Sequence, residues 1–174
     1  MSGPDLVQPL SLSPFAGANE RVVVFGVLGG RKSGPTLLVN SPALVVCLEQ
    51  LDDDVERVVF VEGLSPDAAM LGIIDSMLRA IGPEDGLVQV EMPAEAIKLT
   101  TGPQVDGTVE SPVLIYRGVD RSTVGSFRPP ELLRTSALVA ALVKAPSEEW
   151  VNPAGLVVAN GGWIKTYPRG LQTD

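Results

Sequence analysis

The regular alternation of apolar and polar positions starts at Arg21. Val22 to Phe25 is a continuous apolar run of the kind found in a strand covered on both faces, and it leads directly into GVLGGRKSGP, a glycine-rich stretch with adjacent Arg31 and Lys32. From Pro42 to Leu51, the residues Leu44, Val45, Leu48 and Leu51 fall on one helical face, and Pro42 suits a first turn. Arg57 to Val61, within ERVVFVEG, reads as a second buried strand. Pro66 to Ile81 sets Met70, Ile73, Ile74, Met77, Leu78 and Ile81 at helical spacing and stops at Gly82-Pro83. Leu87 to Met92 is a third strand. Residues 1 to about 20 are rich in Pro, Ser and Gly and hold no sustained period, so they read as a flexible arm ahead of one domain spanning 21–174.

The second half differs. Between Ala96 and Asp120, apolar and polar residues alternate around glycine and proline turns, which predicts an antiparallel hairpin arm over about 96–120. Pro130 to Lys144 predicts a helix with Leu133, Ala137, Ala140 and Ala141 on its small-residue face. Leu156 to Val158 and Trp163 to Tyr167 flank the turn Asn160-Gly161-Gly162. This order of strands and helices implies an α/β layered domain around a mostly parallel sheet with a projecting β-hairpin arm.

Composition narrows the chemistry. The 174 residues, 45% of them hydrophobic, are enough to bury one proper core. Thirteen basic against 21 acidic residues give a formal charge of -8, which argues against a nucleic-acid surface. The chain has no histidine, so histidine-based triads, histidine-zinc sites and imidazole bases are excluded. The single cysteine, Cys47, lies in the apolar run Ala43 to Leu48 and reads as a small core residue in a reducing compartment. No apolar run approaches the roughly 18–20 residues of a membrane span, and MSGPDLVQPLSLSPF lacks the basic start and apolar middle of a signal peptide. A cytoplasmic setting is expected. Chemistry is left to carboxylates, Lys, Arg, hydroxyls, backbone amides and a hard, oxygen-liganded metal.

The glycine-rich stretch allows two readings. GVLGGRKS is close to a P-loop, but Arg31 stands where the second glycine of GxxxxGK[ST] is needed, and Leu28 blocks a GxGxxG match. It is a basic turn, or it is a nonstandard phosphate loop in which Gly29, Gly30, Arg31 and Lys32 face a polyphosphate. The run Asp52-Asp53-Asp54 is a solvated turn or a cation site, the former being the commoner use of such a run. Trp150 and Trp163 are expected under the final helix, with stacking on a base as the alternative.

Several motifs together resemble the 2-C-methyl-D-erythritol 4-phosphate cytidylyltransferase family. Val119-Asp120-Arg121-Ser122 is similar to that family's VDRS-like element, and Phe127-Arg128-Pro129 with Glu131-Leu132-Leu133 resembles the F-R-x-E-L-L start of its next helix. Pro93 to Lys98 resembles a shortened P-x-x-D-T-x-K, and Ala154-Gly155-Leu156 with Gly161-Gly162 follow at similar spacing. The resemblance covers roughly 21–170. It implies a three-layer Rossmann-like nucleotidyltransferase fold, a CTP loop at Gly29 to Lys32, substrate contacts from Lys98 and Arg121, a small phosphorylated alcohol as acceptor, magnesium as cofactor if the protein is active, and a homodimer formed through the arm. Read as bare residues, Lys98 is a solvated arm residue more readily than a ligand, and Arg121 is equally a partner of Asp120 or Glu110.

Departures from the family bear on activity. The chain is short between Gly63 and Gly86, where the family carries H-D-A-A-R-P. Glu95 and Ala96 replace the aspartate and threonine of D-T-x-K, the T-P-Q element is missing, and Val151-Asn152 replaces a threonine-aspartate pair. One preorganised donor is typically worth about 3–4 kcal/mol of barrier in such chemistry, so several losses together imply a degraded or lost catalytic site. The alternative is a noncatalytic dimeric module, binding a nucleotide or a partner protein, that keeps only the fold.

Overall fold

In a computed structural model describing residues 6–10, 21–28, 32–33, 36–91, 97–100, 115–119, 125–144 and 150–167, the chain divides into two compact units, one of residues 1–90 with 127–174 and one of 91–126. In the first unit, strands β1 (Leu6–Leu10) and β2 (Arg21–Leu28) pair antiparallel. Two short strands, β3 (Lys32–Ser33) and β4 (Thr36–Leu37), pair with each other, and β5 (Val39–Asn40) leads into helix α1 (Ser41–Glu49). Next come β6 (Val55–Glu62), α2 (Ala68–Ala80) and β7 (Gly86–Glu91). The second unit holds β8 (Ile97–Thr100) and β9 (Ile115–Val119), antiparallel with Ile97 opposite Val119. The chain then runs through β10 (Ser126–Arg134), α3 (Thr135–Lys144), β11 (Trp150–Val151), α4 (Pro153–Ala159) and β12 (Ile164–Tyr167).

Six strands form the main sheet in the order β1-β2-β6-β10-β7-β12. Phe25 of β2 lies beside Phe60 of the parallel strand β6, and Glu131 of the antiparallel β10 lies on the other side of Phe60. Successive side chains on a strand point to opposite faces, so each central strand feeds two cores. Phe25, Val58, Phe60 and Leu133 face Leu44 and Leu48 of α1, Leu138 and Ala141 of α3, and Ala154 and Val157 of α4. Val24, Val59, Val61 and Leu132 face Ile74 and Met77 of α2. The result is three layers, helices on both faces of one sheet. Three helix starts follow from side-chain caps: Asn40, Asp67 and Asn152 accept from the amides of Ala43 at 3.0 Å, Met70 at 2.8 Å and Gly155 at 2.6 Å.

The structure corrects the sequence reading in two places and completes it in two others. Leu6–Leu10, inside the stretch read as a flexible arm, is a strand with Leu6 opposite Leu28; five residues containing a proline are too few to display a period. The layered α/β sheet is as expected, with β2 parallel to β6 and β7 parallel to β12, while β1 runs antiparallel to β2 and β10 antiparallel to β6. The helix expected from Pro130 begins only at Thr135, and Ser126–Arg134 is a strand. Pro129 and Pro130 each disfavour a helical conformation in the residue before them, which keeps Arg128 and Pro129 extended. Leu156 to Val158, read from the sequence only as flanking the turn at Asn160, belongs to a helix that starts at Pro153 behind the Asn152 cap.

Candidate functional site

The edge where the parallel strands β2 and β6 end, at Leu28 and Glu62, is where ligands bind in open α/β sheets. There the turn after β6 folds back on β2: the Gly63 amide donates to the Val27 carbonyl at 2.8 Å. Gly63 adopts φ +80°, a left-handed conformation natural to glycine. Its carbonyl would stand only 2.5 Å from a Cβ placed on Gly26, so the strand beneath this turn requires a glycine. Because β10 is antiparallel to β6, Phe127 and Arg128 at its start lie toward this same edge.

The connection after β2 differs from a P-loop. In a P-loop the strand passes through glycines straight into a helix, whose N-terminus then faces the phosphates. Here the β3–β4 pair and β5 intervene between Leu28 and the first residue of α1, Ser41. This connection is anchored instead by backbone pairing: Lys32 lies opposite Leu37, and Val39 and Asn40 lie opposite Val151 and Trp150.

Beneath that connection sits a buried carboxyl group. Glu131 is fully buried; its Oε1 accepts from Asn152 Nδ2 at 2.6 Å and its Oε2 from the Ala154 amide at 3.0 Å. Asn152 Nδ2 also donates to the Leu37 carbonyl at 3.0 Å, while Asn152 Oδ1 caps α4. Burial pushes the Glu131 carboxyl up to about 7, against the opposing pull of the two hydrogen bonds. The sequence reading places Glu131 in a helix start and gives it no role. Its signal in the chain is a lone acidic residue in an apolar run, PPELL, of strand length.

A second polar cluster surrounds the turn before β7. Buried Arg57 donates to the carbonyls of Glu84 at 3.4 Å and Gly82 at 3.5 Å. Hydrogen bonds from its own amide and that of Gly82 hold the Glu84 carboxyl below the usual carboxylate range. Lys165 Nζ approaches Glu84 at 3.5 Å, and the Trp163 amide donates to Asp85 at 2.8 Å. These contacts fix a turn and supply no open chemistry.

Of the residues expected at the site, Gly29, Gly30, Arg31 and Arg121 lie outside the described residues. Lys32 and Lys98 are placed by their backbones alone, Lys32 in β3 and Lys98 opposite Gly118 in the second unit. Among the described residues no three His, Cys, Asp or Glu side chains converge to hold a metal. Asp52 and Asp54 meet Arg21 at 2.7 and 2.6 Å, so two of the three acidic residues of that run serve an exposed ion pair. Trp163, expected under the final helix, is 60% exposed; it precedes β12 instead of packing beneath α4. Cys47 is half-buried, its Sγ donates to the Val7 carbonyl at 3.0 Å, and burial pushes the thiol up. No helix among the described residues is long and apolar enough to cross a membrane.

Neither a protein-family model nor a curated protein sequence matches the chain. Solved structures do. The 4-diphosphocytidyl-2C-methyl-D-erythritol synthase of Anaerococcus prevotii superposes with a TM-score of 0.54 at 15% identity, over 79% of this chain and 57% of that one. The chain has the cytidylyltransferase fold. A second neighbour, the 2-C-methyl-D-erythritol 4-phosphate cytidylyltransferase of Thermus thermophilus, gives a TM-score of 0.54 at 18% identity, over 75% of this chain and 59% of that one. At these identities the likeness is one of fold, and this chain spans less than two thirds of either neighbour's length.

Proposed function

We propose that this protein binds a nucleotide, CTP by preference, at the loop after β2, and that its cytidylyltransferase chemistry is degraded or lost. One observation supports the reading: the buried parallel strand β2 ends at Leu28, at the ligand-binding edge of the sheet, and Gly29, Gly30, Arg31 and Lys32 are the next residues in the sequence. In this role the loop amides and the two cations face the triphosphate, and Lys98 and Arg121 face a phosphorylated alcohol. In this reading magnesium enters with the nucleotide's phosphates. The lost D-T-x-K and threonine-aspartate elements leave binding with more support than catalysis, because binding tolerates the loss of positioning groups that transfer does not.

Replacing Arg31 and Lys32 together with alanine is expected to weaken CTP binding by about a hundredfold or more, since charge-assisted hydrogen bonds contribute about 1.5–3 kcal/mol each. Calorimetric titration reads the change, and an unchanged affinity removes the loop from the site. With CTP and 2-C-methyl-D-erythritol 4-phosphate, pyrophosphate release is expected near background. Robust turnover would show that the replaced motifs have substitutes.

The second reading is a dimeric interaction module, favoured by the antiparallel pairing of β8 with β9 at the root of the arm. Under it the protein is a homodimer in light scattering and becomes a monomer when Gly102 to Glu110 is deleted. A dimer that survives the deletion excludes the arm as its interface.

A further inference from the structure

Glu131 is more than a buried acid tolerated by the core. Each N–H of the Asn152 amide has one acceptor, Glu131 Oε1 at 2.6 Å and the Leu37 carbonyl at 3.0 Å, while its oxygen accepts from Gly155 at 2.6 Å. A flipped amide would set its oxygen against two acceptors and its nitrogen against a donor, so only one orientation satisfies all three partners. Leu37 is in turn the register partner of Lys32 in the β3–β4 pair. A continuous line of contacts therefore runs from β10 through the start of α4 to the basic loop: Glu131, Asn152, Leu37, Lys32.

We propose that Glu131 is a positioning residue for this loop, holding the segment Thr36–Asn40 through Asn152 when it is a carboxylate and releasing it when it is protonated. This rests on the nucleotide-binding reading only for its consequence at the ligand, because the relay itself lies within the chain. As a carboxylate, Glu131 accepts at both oxygens, which matches the two donors it meets. Protonation turns one oxygen into a donor and removes the negative charge that strengthens both oxygens as acceptors, which weakens the bonds they receive. The Ala154 amide is fixed within α4, whereas Asn152 is a side chain that can rotate, so the Asn152 bond gives way and the Leu37 tie goes with it. Among the described residues no charged or titratable side chain faces Glu131: Phe60 stands opposite from β6, Asn152 and Ala154 come from the start of α4, and Leu37 comes from β4. Its ionisation near neutral pH is governed by burial opposed by two hydrogen bonds.

The test is amide hydrogen exchange of the unliganded full chain at pH 6 and pH 8, about one unit to either side of the transition, corrected for the intrinsic pH dependence of exchange. Protection of Leu37, Leu38, Val39 and Asn40 is expected to be about five- to tenfold greater at pH 8. This step should vanish in Glu131→Gln. It should vanish also in the double variant E131Q/N152D, which keeps a hydrogen-bonded pair and the α4 cap but has no N–H to offer Leu37, so the result does not depend on the single variant folding. CTP with magnesium, titrated in parallel, should bind wild type more tightly at pH 8 and bind E131Q/N152D with no step attributable to residue 131. A wild-type exchange step without CTP binding at either pH would support the relay and remove the nucleotide reading. Equal protection at both pH values in the wild type, or a step that persists in the double variant, would overturn the proposal.

Discussion

Phe60→Ala is expected to lower the unfolding free energy by about 3–5 kcal/mol, the range for removing a fully buried aromatic side chain and leaving a cavity. Phe60 has no exposed surface and sits on β6 between β2 and β10. Its ring stacks on Phe25 with centroids 5.5 Å apart and planes 14° from parallel. The cavity would open directly opposite Glu131 on β10. Urea unfolding followed by circular dichroism reads the loss. A cost below about 1 kcal/mol would mean that the three-layer packing described around β6 is wrong.

The second large effect is one of pH. Glu131 binds its proton more tightly in the native state, at about 7, than at its ordinary 4.5. Between those values the native state keeps a proton that the unfolded chain has already released, so raising the pH favours unfolding. The contribution is fully present below pH 4.5 and lost as the pH rises through 7. Its size is about 3 kcal/mol, since a tenfold change in proton affinity corresponds to roughly 1.4 kcal/mol. Unfolding free energies from urea titrations of wild type and Glu131→Gln across this window should diverge by that amount. Parallel profiles would show that Glu131 titrates as an exposed carboxylate does. Asp54 behaves in the opposite sense: its hydrogen bond with Arg21 lowers its pKa, but on the exposed surface solvent screens the pair.

The elements that sequence revealed are those whose burial writes a period into the chain. Val24 to Val27 and Val58 to Val61 are buried on both faces of the sheet and read as apolar runs; α2 buries one stripe, Ile74 and Met77, and reads at helical spacing. The short elements were not legible. The pairings of β3 with β4 and β5 with β11 involve two residues a side and depend on neighbours outside each strand's own stretch of chain. The strand Ser126–Arg134 was hidden by the helical pattern immediately after it, although the two prolines bias Arg128 and Pro129 toward an extended backbone. At the site, the basic loop announced itself by composition, whereas Glu131 and Asn152 become a pair only when β10 meets α4, 21 positions apart in sequence. In the chain alone, Asn152 registers only as the loss of an aspartate. In the fold the same amide gains two N–H donors, and these hold Leu37 and Glu131 at once.

The nucleotide site is the central claim, and isothermal titration calorimetry of the purified protein with CTP and magnesium, with ATP and magnesium as the control, tests it most directly. Saturable binding selective for CTP is the predicted result, with its loss in the Arg31 and Lys32 double-alanine variant assigning the triphosphate to this loop. No heat at millimolar CTP would contradict the account and reduce the stretch from Val22 to Pro35 to a strand and a turn.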